Sequence, residues 1–261
     1  MSIGLSGKTV VVTGAAAGIG AALCESLVGD GARVVAVDRQ PVAHVETSIG
    51  LDFSDPDSLS RGMELLPDHI DALACVAGVA GTQTPNTILR VNFFGQRELV
   101  RRCLPKMPSG GAAVFVSSIT AHRCDWSEAR LEKLLSSDEN AALRMLAEQE
   151  IAGAAAYELS KRVLNYWLTS RLSLFASHGV RANLVSPGPV RTSILKDFED
   201  SMGRDRIAAA AELVGRHGEA GEIASVLRFL LSEGASWVNG QELKVDGGFH
   251  TLRAYDRGCT L

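Results

Sequence analysis

The stretch Lys8-Thr9-Val10-Val11-Val12-Thr13-Gly14-Ala15-Ala16-Ala17-Gly18-Ile19-Gly20 decides the fold. Its first six residues are apolar and rich in β-branched side chains, which suits a strand buried on both faces. Three glycines follow at once, and then a helical pattern through Leu23, Leu27 and Val28 that ends near Gly29-Asp30-Gly31. A glycine-rich turn between strand and helix lets the backbone approach a pyrophosphate. The helix start offers that anion free N–H groups and the positive end of its dipole. The spacing is GxxxGxG rather than GxGxxG. Placement between a strand and a helix gives it more weight than three glycines alone would have.

A second strand, residues 32–37, ends at Asp38 and Arg39. A carboxylate about 20 residues beyond the glycines can accept hydrogen bonds from a ribose diol and repel a 2′-phosphate. NAD is therefore expected over NADP, although Arg39 is a group that a 2′-phosphate could use. A short strand near residues 47–51 leads to Asp52 and Phe53. Asp52 is placed to meet an adenine edge or, equally, to cap the next helix. That helix, residues 55–66, precedes a strand over 72–76 that ends in Ala77-Gly78, where small residues let the chain pass close to a cofactor. A helix over 88–107 carries Asn92, and a buried strand over 112–116 runs into Ser117-Ser118. A helix ending near residue 177 holds Tyr157-Glu158-Leu159-Ser160-Lys161. A strand over 180–185 then leads to Pro187-Gly188-Pro189. The last helix and strand cover 223–231 and 242–245. Strand and helix alternate without a linker or repeat, so residues 1–261 read as one α/β domain, a doubly wound parallel sheet.

Composition agrees with this reading. The 261 residues are 46% hydrophobic and 21% charged, enough for a sizeable core. The net charge is −4 and basic residues are dispersed, which argues against a nucleic-acid or anionic-membrane partner. No apolar run approaches a membrane span and no signal-peptide pattern opens the chain. Cys24, Cys75, Cys103, Cys124 and Cys259 are scattered and odd in number. They are expected to be reduced, in a cytoplasmic protein. The six histidines form no pair at ligand spacing, so no metal site is expected.

Tyr157 and Lys161 stand one turn apart on one helical face. A free phenol has a pKa of about 10, and a neighbouring ammonium favours its ionised form, bringing it toward working range. Alone the pair is weak, since most Tyr-x-x-x-Lys helices are only helices. Together, Thr13-Gly14-x-x-x-Gly18-Ile19-Gly20, Cys75-Val76-Ala77-Gly78, Asn92, Ser118, Tyr157-x-x-x-Lys161 and Pro187-Gly188-Pro189-Val190-Arg191-Thr192 resemble the short-chain dehydrogenase/reductase family over nearly the whole chain. One departure is Cys75-Val76 where the family usually has two asparagines. Another is the 39-position separation of Ser118 from Tyr157, against about a dozen in most members. The long insertion, the Ala-Gly-Val-Ala-Gly turn and the Val-Asp-Gly-Gly ending resemble a bacterial branch containing 3α-hydroxysteroid and coniferyl-alcohol dehydrogenases.

The resemblance implies a Rossmann-type fold and hydride transfer between NAD and an apolar secondary or aryl alcohol or its carbonyl. Tyr157 would be the acid/base, Lys161 would lower its pKa and bond the nicotinamide ribose, and Ser118 would hold the substrate oxygen. Asn92 would position a water that links Lys161 to solvent. Gly14, Ala17, Gly18, Ile19, Gly20, Asp38, Arg39, Asp52, Phe53, Ala77, Gly78, Pro187, Gly188, Val190 and Thr192 would complete the cofactor site, Thr192 at the carboxamide. The competing readings are a catalytically silent nucleotide-binding scaffold, an enoyl reductase and a sugar-nucleotide epimerase. The intact Asn92/Ser118/Tyr157/Lys161 set opposes the first. Tyr–Lys spacing opposes the second and the length of the carboxyl-terminal region the third.

Residues 192–215 carry Ile194, Leu195, Phe198 and Met202 among charges and read as an apolar lid that favours a bulky apolar alcohol or ketone. Residues 122–150 read as two short helices, capped at Asp125 and Ser136, with Leu131, Leu134 and Leu135 on one stripe and Ala142, Met145 and Leu146 on the other. Members of the family commonly assemble as homodimers or homotetramers through a bundle of the Asn92 and Tyr157 helices. The insertion is expected to obstruct that bundle, leaving a dimer built elsewhere, and to border the pocket through Trp126.

Overall fold

The computed structural model describes residues 4–255. The chain runs β1 (Thr9–Thr13), α1 (Gly18–Gly29), β2 (Arg33–Asp38), β3 (Thr47–Gly50), α2 (Pro56–Glu64) and β4 (Ala72–Cys75). It continues through α3 (Pro85–Leu89), a π-helical turn (Arg90–Phe94), α4 (Gly95–Cys103), β5 (Ala112–Val116) and a 3₁₀ turn (Ile119–Arg123). The insertion forms α5 (Glu128–Ser136) and α6 (Glu139–Glu148), followed by α7 (Gly153–Ser170), α8 (Leu172–Ala176) and β6 (Arg181–Pro187). The rest comprises β7 (Val190–Arg191), α9 (Leu195–Met202), α10 (Arg204–Val214), β8 (Gly218–Glu219), α11 (Ala220–Leu231), β9 (Glu242–Val245) and α12 (Phe249–Tyr255).

Seven strands form one sheet in the order β3-β2-β1-β4-β5-β6-β9, and every pairing is parallel. Parallel strands need helical crossovers, and these cover both faces of the sheet. Alternate residues therefore enter different cores: Val11, Ala113 and Phe115 face one, while Val10, Val12, Val114 and Val116 face the other. The strand order reverses between β1 and β4, which opens a crevice at the carboxyl ends of those strands.

The long helix expected over 88–107 is interrupted. Its π turn holds Asn92 fully buried, and such turns mark sites where a side chain is re-aimed. Helix α7 stops at Ser170, and α8 completes the span expected to reach residue 177. Asp55, not Asp52, caps α2, accepting from Asp57 N–H at 3.0 Å.

The insertion is helical with its apolar stripes inward. Leu131, Leu134, Leu135, Ala142, Leu143 and Leu146 are buried in the same core as α7 and β5, whereas Met145 is only partly covered. The caps differ from expectation. Helix α5 begins at Glu128 with Ser127 in the cap position, the backbone at Cys124 and Ser127 being extended on either side of the buried Trp126. Helix α6 is capped by Asp138, which accepts from Ala141 N–H at 2.8 Å, and Ser136 remains in α5. Trp126 does not border the cavity described below. It sits 6% exposed in the core with the Arg130 guanidinium 3.9 Å from its ring centroid.

Glycine is obligatory where chain segments touch. A Cβ on Gly20 would lie 2.0 Å from the Gly14 carbonyl oxygen, whereas one on Gly29, in the same helix, would meet nothing within 4 Å. Gly20→Ala should therefore lower stability by about 1–3 kcal/mol through forced displacement of the turn. Gly29→Ala should raise it by about 0.5–1 kcal/mol through helix propensity. Denaturant unfolding of both variants checks this, and a Gly20→Ala protein as stable as wild type would contradict the packing.

Candidate active site

The crevice is a cavity of about 510 Å³ running from the glycine-rich turn to α9, α10 and α12. At one end the turn is shaped by contact with β4. Thr13 Oγ1 accepts from Val76 and Ala77 N–H, both at 3.0 Å, which fixes the chain leaving β4 against Gly14. Gly14 adopts φ +66°, and a Cβ there would come within 2.8 Å of the Ala77 backbone. Gly18, at φ +56°, lies under Thr192, whose methyl would be 3.1 Å from an added Cβ. No side chain caps α1 at Ala17, so its first turn presents backbone N–H groups to the cavity that Ala16, Ala17, Gly18 and Ile19 line. This cradle fits the pyrophosphate of a dinucleotide.

Asp38 closes the same end. Its carboxylate accepts from Ala16 N–H at 3.0 Å and Gln40 N–H at 2.9 Å, which holds it at the cavity edge beside Arg39. Asp52 and Phe53 line the wall beyond, and Asp52 Oδ1 is engaged by Ser54 N–H at 2.8 Å and Ser54 Oγ at 2.6 Å. Ala77, Gly78, Pro187, Gly188, Val190 and Thr192 also line the cavity; Gly20 and Asn92 do not. Gly20 lies behind the turn.

Asn92 acts from behind. Its amide pairs with both backbone groups of Val79, accepting at 2.8 Å and donating at 3.0 Å, and also donates to Ser160 Oγ at 3.0 Å. Ser160 in turn donates to the Tyr157 carbonyl at 2.7 Å. The π turn is thus tied to the helix that carries the tyrosine and the lysine. Ser160 stands inside the Tyr-x-x-x-Lys stretch, yet nothing in the spacing assigns it this bridging role.

At the centre, Tyr157, Lys161 and Ser118 share the cavity wall. Ser118 caps the 3₁₀ turn after β5, accepting from Thr120 N–H at 3.2 Å and sharing a hydrogen bond with Thr120 Oγ1 at 3.0 Å. Lys161 is 2% exposed and donates to the Val116 carbonyl at 2.9 Å. Its Nζ lies 5.8 Å from the Tyr157 ring centroid. Burial lowers the ammonium to about 8. The expected lowering of Tyr157 is not found in the protein alone. Burial pushes the phenol up to about 12, against a smaller opposing pull from Ser118 and with a further push from Glu158, while the Lys161 ammonium is bonded to the Val116 carbonyl instead.

The segment expected to form a lid is a helical pair, α9 and α10. Ile194, Leu195, Phe198 and Met202 all line the cavity, and the Phe198 ring packs edge-on to Tyr157 with centroids 5.0 Å apart. Three further lining residues carried no signal in the sequence: Arg123 from the 3₁₀ turn, Arg206 from α10 and Phe249 from α12. They converge from segments far apart in the chain. Among the described residues no group of three or more His, Cys, Asp and Glu is arranged to hold a metal, and no helix is long and apolar enough to cross a membrane. Cys24, Cys75, Cys103 and Cys124 are free thiols; Cys259 lies outside the described residues.

Two family models match the chain: the one described as short chain dehydrogenase over residues 8–127, and the one described as Enoyl-(Acyl carrier protein) reductase over residues 142–250. Residues between these stretches fall in the insertion. A coniferyl-alcohol dehydrogenase of Pseudomonas sp. (strain HR199 / DSM 7063) is 34% identical across 94% of this chain and 97% of its own. The chain belongs to the short-chain dehydrogenase/reductase family. Like that relative, a 3-alpha-hydroxysteroid dehydrogenase/carbonyl reductase of Comamonas testosteroni is similar to this dehydrogenase/reductase, at 33% identity over 93% of this chain and 96% of its own. The solved 3-alpha-hydroxysteroid dehydrogenase from Pseudomonas sp. B-0831, complexed with NADH, superposes with a TM-score of 0.82 at 31% identity. It covers 97% of this dehydrogenase/reductase and 100% of its own chain.

Proposed function

We propose that this dehydrogenase/reductase interconverts a bulky apolar secondary or aryl alcohol and its carbonyl with NAD. The supporting observation is a single cavity that joins the Gly14–Ile19 cradle and Asp38 to Tyr157, Ser118 and Lys161 and ends in apolar walls from α9, α10 and α12. When bound, the dinucleotide supplies nicotinamide C4 for hydride exchange and, oxidised, a positive charge.

The chain's own residues then have distinct tasks. Tyr157 Oη takes the proton from a substrate hydroxyl, or gives it to a carbonyl oxygen. Ser118 Oγ holds that oxygen near the phenol. Lys161 stabilises the phenolate and bonds the nicotinamide ribose, while Asn92 and Ser160 keep α7 in register with the turn at Val79. Asn92 also positions a water toward Lys161, the role the resemblance implies for it. Thr192, packed on Gly18, holds the carboxamide. Phe198, with Ile194, Leu195, Met202, Ile207 and Phe249, excludes water from Tyr157 and accepts an apolar substrate body.

Tyr157→Phe removes the acid/base and should cut turnover by at least about 10²–10⁴-fold while NAD still binds. A screen of steroid, aryl and aliphatic alcohols, read by NADH absorbance, checks this. Activity within tenfold of wild type would remove Tyr157 from the mechanism.

Asp38 carries the cofactor preference, because its carboxylate meets a ribose diol and repels a 2′-phosphate. Wild type should favour NAD in direct competition. Asp38→Ala should weaken NAD by roughly ten- to hundredfold, the worth of a charged hydrogen bond, and shift preference toward NADP through Arg39. A wild type that already prefers NADP contradicts this assignment.

The insertion bears on assembly. Arg90 bonds Glu139 at 2.6 Å, and Glu132 receives Tyr166 at 3.2 Å together with Arg171, so α5 and α6 are tied to the helices that hold Asn92 and Tyr157. With that surface covered within the chain, self-association uses another face. Light scattering should give a dimer; a tetramer would indicate that the usual bundle persists.

A further inference from the structure

The end of the cavity away from the glycine-rich turn is not uniformly apolar. Arg123, at the close of the 3₁₀ turn after Ser118, and Arg206, in the first turn of α10, both line it, beside Ile207, Ala210 and Phe249. Arg123 has a side chain 23% exposed and one ionic contact, Nη1 to Glu158 Oε1 at 3.5 Å. A guanidinium has five N–H donors, so that single long contact leaves most of them unused. Arg206 has no hydrogen bond or ion pair among the described residues. Burial, then repulsion from Arg206 and, behind it, Arg253, holds the Arg123 guanidinium below its ordinary value despite Glu158.

Two carboxylates sit near this end, Glu158 against Arg123 and Asp197 in the cavity wall on α9. Among the described residues, Asp197 is the one carboxylate lining this end with Arg123 and Arg206, while Glu158 and Arg253 stand outside the wall. An arginine fork is matched geometrically by a carboxylate, and Arg123, the more buried of the two, is costly to leave with one long contact, while Arg206 is exposed and reaches in from α10. The 2′-phosphate of a dinucleotide cannot supply that anion. It would lie by Asp38 and Arg39, at the other end of the cavity, beyond Tyr157.

We infer that the substrate carries a carboxylate remote from its reacting carbon, bound by Arg123 and Arg206 across the apolar section of the cavity. The molecule is then amphipathic, with its oxygen at Tyr157 and Ser118, its body against Phe198, Met202, Ile207 and Phe249, and its acid group at the two arginines. This inference rests on the alcohol–carbonyl reading above and narrows it to hydroxy or oxo acids with a bulky apolar body.

The test compares lithocholate with its methyl ester, and 4-(hydroxymethyl)benzoate with its methyl ester. Each is measured twice, by kcat/KM with NAD and by calorimetric binding to the NADH-loaded chain. In at least one pair the acid should be favoured by about tenfold or more, the scale of a charge-assisted hydrogen bond. The preference should shrink with added salt. Arg206→Gln, at an exposed helix position that does not endanger folding, should reduce the acid-to-ester ratio by about tenfold, and Arg206→Glu should invert it. Arg123→Gln should act in the same direction. Equal binding of acid and ester, no binding of either, or a ratio unmoved by the Arg206 variants overturns the inference. Selective acid binding without turnover supports the inference and instead counts against the alcohol–carbonyl reading.

Discussion

The site depends on a lysine that has been taken out of water. Lys161 Nζ is buried beneath Tyr157 and reaches a single carbonyl, Val116, at the carboxyl end of β5. An ammonium there disfavours folding at neutral pH, because its folded pKa of about 8 lies below that of the unfolded chain. The cost is fully present below pH 8 and is relieved as pH rises toward the unfolded value. Such a placement persists only if the surroundings over-determine it. Here β5 fixes the carbonyl, α7 fixes the lysine, and the Asn92–Ser160–Tyr157 chain fixes α7 against the π turn.

The same burial explains why the tyrosine and the lysine do not form a finished acid/base pair in the protein alone. Desolvation dominates the phenol, and the ring is walled by Phe198. A positive charge brought to the cavity would favour the phenolate. The proposed chemistry would then be coupled to cofactor binding through electrostatics, with no change of fold required.

How much of this is legible in the sequence depends on how local each cause is. The β1 turn and the start of α1 can be read directly, because Gly20 answers to the backbone of Gly14 and Gly14 to the chain leaving β4, whereas the packing of Thr192 on Gly18 is long-range. Tyr157 and Lys161 can be read because helical geometry fixes their spacing. The cap of α5 falls at Ser127 rather than Asp125 beside the buried Trp126, and that of α6 at Asp138 because α5 runs on through Ser136; no pattern of polar residues reveals either. The bridge through Ser160, the π turn at Asn92 and the convergence of Arg123, Arg206 and Phe249 are products of long-range packing. The basicity of Tyr157 is likewise a matter of dielectric surroundings that spacing cannot convey. The insertion lies between these cases: its amphipathic stripes can be read, but only the fold shows that α7 and β5 cover them.

An ultraviolet titration of the Tyr157 phenol reads its coupling to the bound dinucleotide. The difference spectrum between wild type and Tyr157→Phe isolates this ring from the other tyrosines, with and without NAD. The account predicts ionisation near 12 in the protein alone and at least about two units lower with NAD bound, roughly a hundredfold shift in favour of the phenolate. A phenol that still ionises near 12 with NAD in place would contradict it.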